Sequence, residues 1–215
     1  MGCVEIAAIA KLLQPFIQLD ESRLRSISTY IDLLLKWNAR INLTAIREPN
    51  EIVPRHFGES LFAAKYLLEQ KRPQTAIDLG SGAGFPGVPF AMLAQDVQVT
   101  LIESQQKKAT FLRELVRILE LKNVKVFSDR AESYPETADL VMLRAVEKFE
   151  KALSLALEIT KKEGGRVALM IGSGQVESAR KMGTEVSWDE PAQIPCSSAR
   201  ELLVGVKNVK VEQST

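Results

Sequence analysis

From residue 75 onward, apolar runs of strand length alternate with helical patterns, and this alternation constrains the fold more than any other feature. The runs are TAIDL (75–79), VQVTLIE (97–103), VKVF (124–127), DLVMLRAV (139–146) and RVALMI (166–171). Helical patterns fill 87–95, 105–121 and 147–162 between them. Strands alternating with helices make βαβ units, which imply a parallel sheet covered on both faces. Gly164-Gly165 marks the reversal into the fifth strand. ELLVGVK (201–207) reads as a last strand, beyond a loop-like region around Pro191 and Pro195 and before a frayed QST tail.

No strand pattern precedes residue 75. Residues 4–70 read as helical, with Asp20 or Ser22 capping a helix in which Leu24, Ile27, Ile31, Leu34 and Leu35 recur at helical spacing. That helix should end near Trp37-Asn38. Asn50 is placed to cap a short helix from Glu51, and another spans about 59–71 before Pro73. The expected organisation is a helical N-terminal extension (1–72) on a doubly wound α/β domain (73–215).

Between the first strand and its helix lies IDLGSGAGFPG (77–87), with four glycines in eight positions. In an open parallel sheet the ligand crevice lies at the carboxyl ends of the strands, where strand order reverses. Glycines suit that place because the backbone turns partly at positive φ and a side chain would block a ligand lying on it. Gly82-x-Gly84-x-x-Gly87 is literally the dinucleotide fingerprint. An acidic residue about 20 positions on commonly binds a ribose diol, and Glu103 ends the second strand 19 residues past Gly84. These features suit both NAD(P) and S-adenosylmethionine, since both carry adenosine. Asp78 separates them. A carboxylate two residues before the first glycine repels a pyrophosphate and suits the ammonium and sulfonium of S-adenosylmethionine.

Composition bounds the rest. A formal net charge of +1 over 215 residues gives no global attraction to a polyanion, so any nucleic-acid surface must be a local patch. Lys107, Lys108, Arg113, Arg117, Lys122, Lys125 and Arg130 form one, against Glu114, Glu120 and Asp129. Cys3 and Cys196 offer no disulfide framework and no metal-ligand spacing, which points to a reducing, intracellular setting. No apolar run is long enough to span a membrane. The apolar start, MGCVEIAAIAKLLQPF, reads as an amphipathic helix packed on the body, with no charged leader and a poor myristoylation signal.

Several stretches share one family likeness. They are WNARINLTAI (37–46), Arg55-His56, IDLGSGAGFPGVPFAML (77–93), IESQQKKATFLRE (102–114), Arg130-Ala131-Glu132 and LRAV (143–146). Together they resemble the bacterial 16S rRNA guanine-N7 methyltransferase G family, also called glucose-inhibited division protein B, from roughly 20 to 175. The resemblance implies a Rossmann-like S-adenosylmethionine-dependent methyltransferase sheet acting on a guanine in the 530 loop of small-subunit rRNA. It implies cofactor positions at Gly80, Gly82, Gly84 and Phe85, with Glu103 on the ribose and Ala131-Glu132 bordering the adenine. Asp78 joins them as a cofactor contact, or braces the glycine loop. Arg144, ending the fourth strand, is expected to face the crevice and take the methionine carboxylate or an RNA phosphate. Lys107, Lys108 and Arg130, nearest the strand ends, are the expected RNA contacts, while Trp37 and Phe111 are read as core.

Guanine N7 has an exposed lone pair and no proton to remove, so the reaction needs alignment rather than a general base. No catalytic acid–base residue is therefore assigned, and His56 is read mainly as orienting the N-terminal helices. The chain departs from the family in two places. His56-Phe57-Gly58-Glu59-Ser60 replaces His-x-x-Asp-Ser, and Met170-Ile171-Gly172 lies where Lys-Gly is common. The expected partner is 16S rRNA or an assembled or late-precursor small subunit, met in the cytoplasm by a monomer with no membrane contact. The alternatives are a methyltransferase of this fold acting on another substrate, an NAD-dependent oxidoreductase, and a non-catalytic RNA-binding module.

Overall fold

The alternation of apolar runs is realised as one sheet whose two faces carry separate cores. The computed structural model describes residues 5–144 and 148–208. Cys3, the QST tail and the expected join of fourth strand and following helix at 145–147 lie outside the described residues. Five strands run parallel: β1 (Thr75–Leu79), β2 (Gln98–Ile102), β3 (Val124–Phe127), β4 (Leu140–Arg144) and β5 (Arg166–Gly172). Three more follow: β6 (Val186–Trp188), β7 (Ala192–Gln193) and β8 (Arg200–Lys207), each pair they form being antiparallel. The order is β3-β2-β1-β4-β5-β8-β6, with β7 also on β8. Strand order therefore reverses between β1 and β4, where the loop at 80–87 emerges.

Side chains alternate across the sheet. Ala76, Val99, Leu101, Met142, Ala168 and Val204 face one core, and Ile77, Ile102, Val141, Leu143, Leu169 and Leu203 the other. The first core is closed by α1 (Ile6–Leu13), α2 (Glu21–Asn38), α4 (Glu59–Gln70), α5 (Gly87–Leu93) and α6 (Gln106–Ile118). The second lies under α7 (Phe149–Glu158) and α8 (Val176–Met182). The N-terminal helices thus share a core with the sheet. Asp20 is the cap of α2, accepting from the Arg23 N–H at 2.8 Å.

Between α2 and α4 the chain runs through α3 (Pro49–Ile52), capped by Glu48 rather than Asn50, and then a π-helical turn, Val53–Gly58. That turn carries Arg55 and His56. Helix α8 and strands β6 and β7 have no counterpart in the sequence reading. The two strands are only three and two residues long and take their order from β8. Trp188 on β6 lies over Gly183 and Gly205, where an added Cβ would meet its ring at 2.7 and 2.6 Å. A glycine inside the final strand was the signal of that close approach.

Candidate functional site

The register of the sheet lines up the site. Leu79 pairs with both Ile102 and Leu143, so Gly80, Glu103 and Arg144 follow side by side along the carboxyl edge. The loop leaves β1 with Gly80, Gly82 and Gly84 all at positive φ. At Gly82 an added Cβ would meet only the Gly80 carbonyl at 3.8 Å, so the loop's surface there is bare. At Gly84 it would stand 2.4 Å from the Tyr30 hydroxyl. Gly87 sits against the strands, where a Cβ would crowd Leu101 and Asp78.

Tyr30, from α2, is the anchor that sequence reasoning missed. Its hydroxyl donates to the Ala83 carbonyl, and its ring stacks on Phe85 at 5.1 Å. A tyrosine in an apolar helical stripe needs a partner for its hydroxyl, yet nothing local says that the partner is a loop 53 residues away.

Asp78 lies beneath the loop. Its Oδ2 accepts the Gly87 N–H at 2.9 Å, while Oδ1 is buried with no partner among the described residues. Burial pushes its carboxyl up to about 7, against the lowering effect of the Gly87 N–H. Its repulsion of a pyrophosphate is correspondingly weaker than that of a fully ionised group. Glu103 braces the loop too: Oε2 accepts the Gly82 N–H at 2.9 Å and Oε1 the Gln105 N–H at 2.8 Å. It also lines a cavity of about 480 Å³ with Leu79, Gly80, Arg130, Ala131 and Glu132, within the range of small-ligand sites. The positions expected to surround an adenosine therefore share one cavity. Lys148 and Lys151 also line it, and Lys151 pairs with Glu132 at 2.8 Å; neither was singled out from the sequence. Lys107 and Arg130 are exposed and Lys108 half-buried, near the same edge.

Arg144 departs from expectation. It does not line the cavity but reaches the N-terminal helices. Its guanidinium donates to the Arg55 carbonyl, to Ser60 Oγ at 3.2 Å and to Glu59 Oε2 at 3.1 Å. Its Cζ lies 6.0 Å from the Phe85 ring centre. Burial lowers its pKa to about 10, so it remains a cation. The reason is the π-turn, which turns its carbonyls toward the end of β4.

His56 is held from both sides. Arg144 only donates, so His56 Nδ1 accepts at 3.3 Å, and Nε2 donates to Thr44 Oγ1 at 2.8 Å. Burial, then the cations of Arg144, Arg55 and Arg200, press its pKa down to about 3. Thr44 is itself fixed by Asn38, whose Oδ1 accepts the Leu43 and Thr44 N–H groups at 2.8 and 3.0 Å. The WN-x-x-x-NLT stretch is thus a clasp that sets His56 against Phe85, ring centres 5.0 Å apart. Trp37 donates to Glu114 at 2.9 Å and packs edge-on against Phe111. Ile171 is buried in the second core, so position 171 packs inward rather than facing the crevice.

Asp78 yields a pH signature. Its folded pKa of about 7 exceeds its ordinary 3.8, so the native state keeps a proton that the unfolded chain has released. That contribution is complete below about 4 and lost as pH rises through about 7. Asp78→Asn stays neutral throughout. Its advantage over the wild type should grow by roughly 3 kcal/mol between pH 4.5 and pH 8 in urea unfolding. His56 titrates in the opposite sense in both proteins and cancels from the comparison. A stability difference independent of pH would rule out this titration.

Comparison with known proteins follows the same lines. The family described as GidB, rRNA small subunit methyltransferase G, matches residues 23–203. The ribosomal RNA small subunit methyltransferase G of Roseiflexus castenholzii is 38% identical over 204 residues, covering 89% of this chain and 86% of that protein. The protein of the same name from Bacillus pumilus is 32% identical, covering 94% and 89%. Among solved structures, magnesium protoporphyrin IX methyltransferase from Synechocystis, with bound S-adenosylmethionine, aligns at TM-score 0.63 and 14% identity, covering 88% of this chain and 98% of that one. A S-adenosylmethionine-dependent O-methyltransferase from Thermotoga maritima aligns at 0.58 and 19%, covering 84% and 73%. At such identities these two speak to the fold.

Proposed function

The chain belongs to the family of small-subunit ribosomal RNA methyltransferases G, and from that premise we propose that it methylates N7 of a guanine in the 530 loop of 16S rRNA, using S-adenosylmethionine. The observation that carries this reading is the cavity at the switch point, bounded by Gly80, Glu103, Ala131 and Glu132. The residues present fit that cofactor. Gly82 leaves the loop's surface bare, and Asp78 Oδ1 is a buried acceptor without a partner among the described residues.

S-adenosylmethionine, when bound, supplies the methyl group. In this reading Glu103 accepts the ribose hydroxyls while Ala131 and Glu132 border the adenine. Gly80 lines the cavity and Gly82 keeps the loop open beside it, while Gly84 and Phe85 set the loop from its packed side against Tyr30, and Asp78 holds it to α5 through Gly87. The acceptor needs no base in this reading, and both His56 nitrogens are engaged within the protein. The chain's work is alignment and exclusion of water. Residues 1–72 serve it by closing the β4 side of the loop, and residues 73–215 carry the cofactor. Lys107, Lys108 and Arg130, joined by Lys148 and Lys151, form the basic rim on which the RNA backbone rests.

Among the described residues no helix is long and apolar enough to cross a membrane. We take the protein to act as a cytoplasmic monomer on the assembled subunit or its late precursor. The test is chemical mapping of N7-methylguanosine in 16S rRNA by borohydride reduction and aniline cleavage. Deleting the gene should abolish one cleavage in the 530 loop, and restoring it should return the signal. A cleavage unchanged by deletion would overturn the substrate assignment.

A further inference from the structure

Outside the cavity, four charged side chains from four segments converge near Phe85. Glu59, on α4, is 2% exposed and is shared by three guanidiniums. Its Oε1 meets Arg200, from the start of β8, at 3.0 Å and Arg55 Nε, from the π-turn, at 3.5 Å. Its Oε2 meets Arg144, from the end of β4, at 3.1 Å. His56 beside them is neutral at any physiological pH. Among the described residues one carboxylate, Glu59, pairs with all three guanidiniums. Two of these guanidiniums keep solvent-facing donors that an anion can engage.

The three arginines differ in access. Arg144 is 8% exposed and acts as an inner strut. Arg200 and Arg55 are 27% and 50% exposed, and Arg200 Nε is buried without a partner among the described residues. The register fixes where they open. Arg200 pairs with Gly172 at the end of β5, and Arg144 with Met170. The cluster therefore lies on the carboxyl edge of the sheet, beyond β4, while the Glu103 cavity lies toward β2. In strand order Gly80, where the loop leaves β1, lies between Glu103 and Arg144.

Resting on the rRNA reading above, we infer that Arg55 and Arg200 form a phosphate clamp for the strand carrying the acceptor base. Glu59 and Arg144 orient the clamp. The cavity then holds the methyl donor beside Gly80 and Glu103, and the clamp holds the backbone at the β4–β5 end of the same carboxyl edge. A guanidinium already fixed by Glu59 loses little freedom on gripping a phosphate and can do so through two parallel N–H bonds.

The experiment uses the full chain and small subunits isolated from the deletion strain, which lack the modification. Binding is measured across a range of KCl for wild type, Arg55→Gln, Arg200→Gln and Arg200→Lys. Each Gln variant should flatten the slope of log affinity against log salt by about one. Each should raise the KM for subunits about tenfold, with kcat and the affinity for S-adenosylhomocysteine held. Arg200→Lys, which keeps the charge, should restore most of the slope. Slopes and KM unchanged in both Gln variants would overturn the clamp. A matched fall in melting temperature and S-adenosylhomocysteine affinity, with the slope intact, would overturn it equally, by making the arginines structural. If the wild type itself neither binds nor methylates these subunits, the substrate reading has failed and the clamp falls with it.

Discussion

Glu59→Gln should lower the stability of the protein by about 3 kcal/mol, a fall of roughly 6–12 °C in melting temperature for a chain of this length. The substitution keeps the shape and one acceptor oxygen but removes the only negative charge that, among the described residues, pairs with Arg55, Arg144 and Arg200. Arg200 and Arg55 can turn toward water; Arg144, 8% exposed, cannot. Burial raises the pKa of Glu59 and lowers that of Arg144, so each charge is in the interior only because the other is there. The interaction is therefore best read as a coupling. Arg144→Gln alone should also cost about 3 kcal/mol, and the double variant should recover about 2 kcal/mol of the summed loss. Denaturant unfolding of the four proteins gives the cycle. Strict additivity would mean that the two side chains act independently, and that the β4 end is not tied to α4 through this pair.

The same cluster shows where the sequence stops being legible. The strands announce themselves because a parallel strand buried on both faces reads as a near-continuous apolar run, as the middles of β4 and β5 do, although β1 carries Asp78, β2 Thr100 and the edge strand β3 Lys125. The glycine loop and Glu103 could be read because their spacing is set locally, by one strand-to-helix turn and one neighbouring strand end. Arg144 could not. Its position at a strand end was correct, but its direction depends on carbonyls at 55 and 56, presented by a π-turn that no periodicity marks. Tyr30 escaped for the same reason, being joined to the loop by packing between α2 and the sheet. Asn38 and Thr44 were legible as a motif but not as a clasp. Their purpose emerges only when His56 is seen between Thr44, Arg144 and Phe85. Strands β6 and β7 were hidden by brevity, since three and two residues cannot display a period.

The glycine loop permits a sharper test, because two of its glycines should fail in opposite ways. Gly82 has φ +54, a left-handed conformation that aspartate tolerates at a cost of about 1 kcal/mol, and its Cβ would meet only the Gly80 carbonyl. Gly82→Asp should therefore fold, with a melting temperature lowered by a few degrees. It should lose S-adenosylhomocysteine affinity by more than about 100-fold in calorimetry, since its side chain rises from the bare surface that the ligand needs and crowds the Glu103 carboxylate. Gly84 has φ +92, and its Cβ would stand 2.4 Å from the Tyr30 hydroxyl and 3.0 Å from Val88. Tyr30 cannot retreat, being buried, bonded to Ala83 and stacked on Phe85. Gly84→Ala, though the smaller change, should cost about 3 kcal/mol of fold stability through left-handed strain and overpacking together. A folded Gly82→Asp protein with undiminished affinity would mean that the loop is not the cofactor site. A Gly84→Ala protein as stable as the wild type would mean that Tyr30 does not anchor it. The two outcomes are independent because Gly82 presents the loop's open side and Gly84 the side packed against α2.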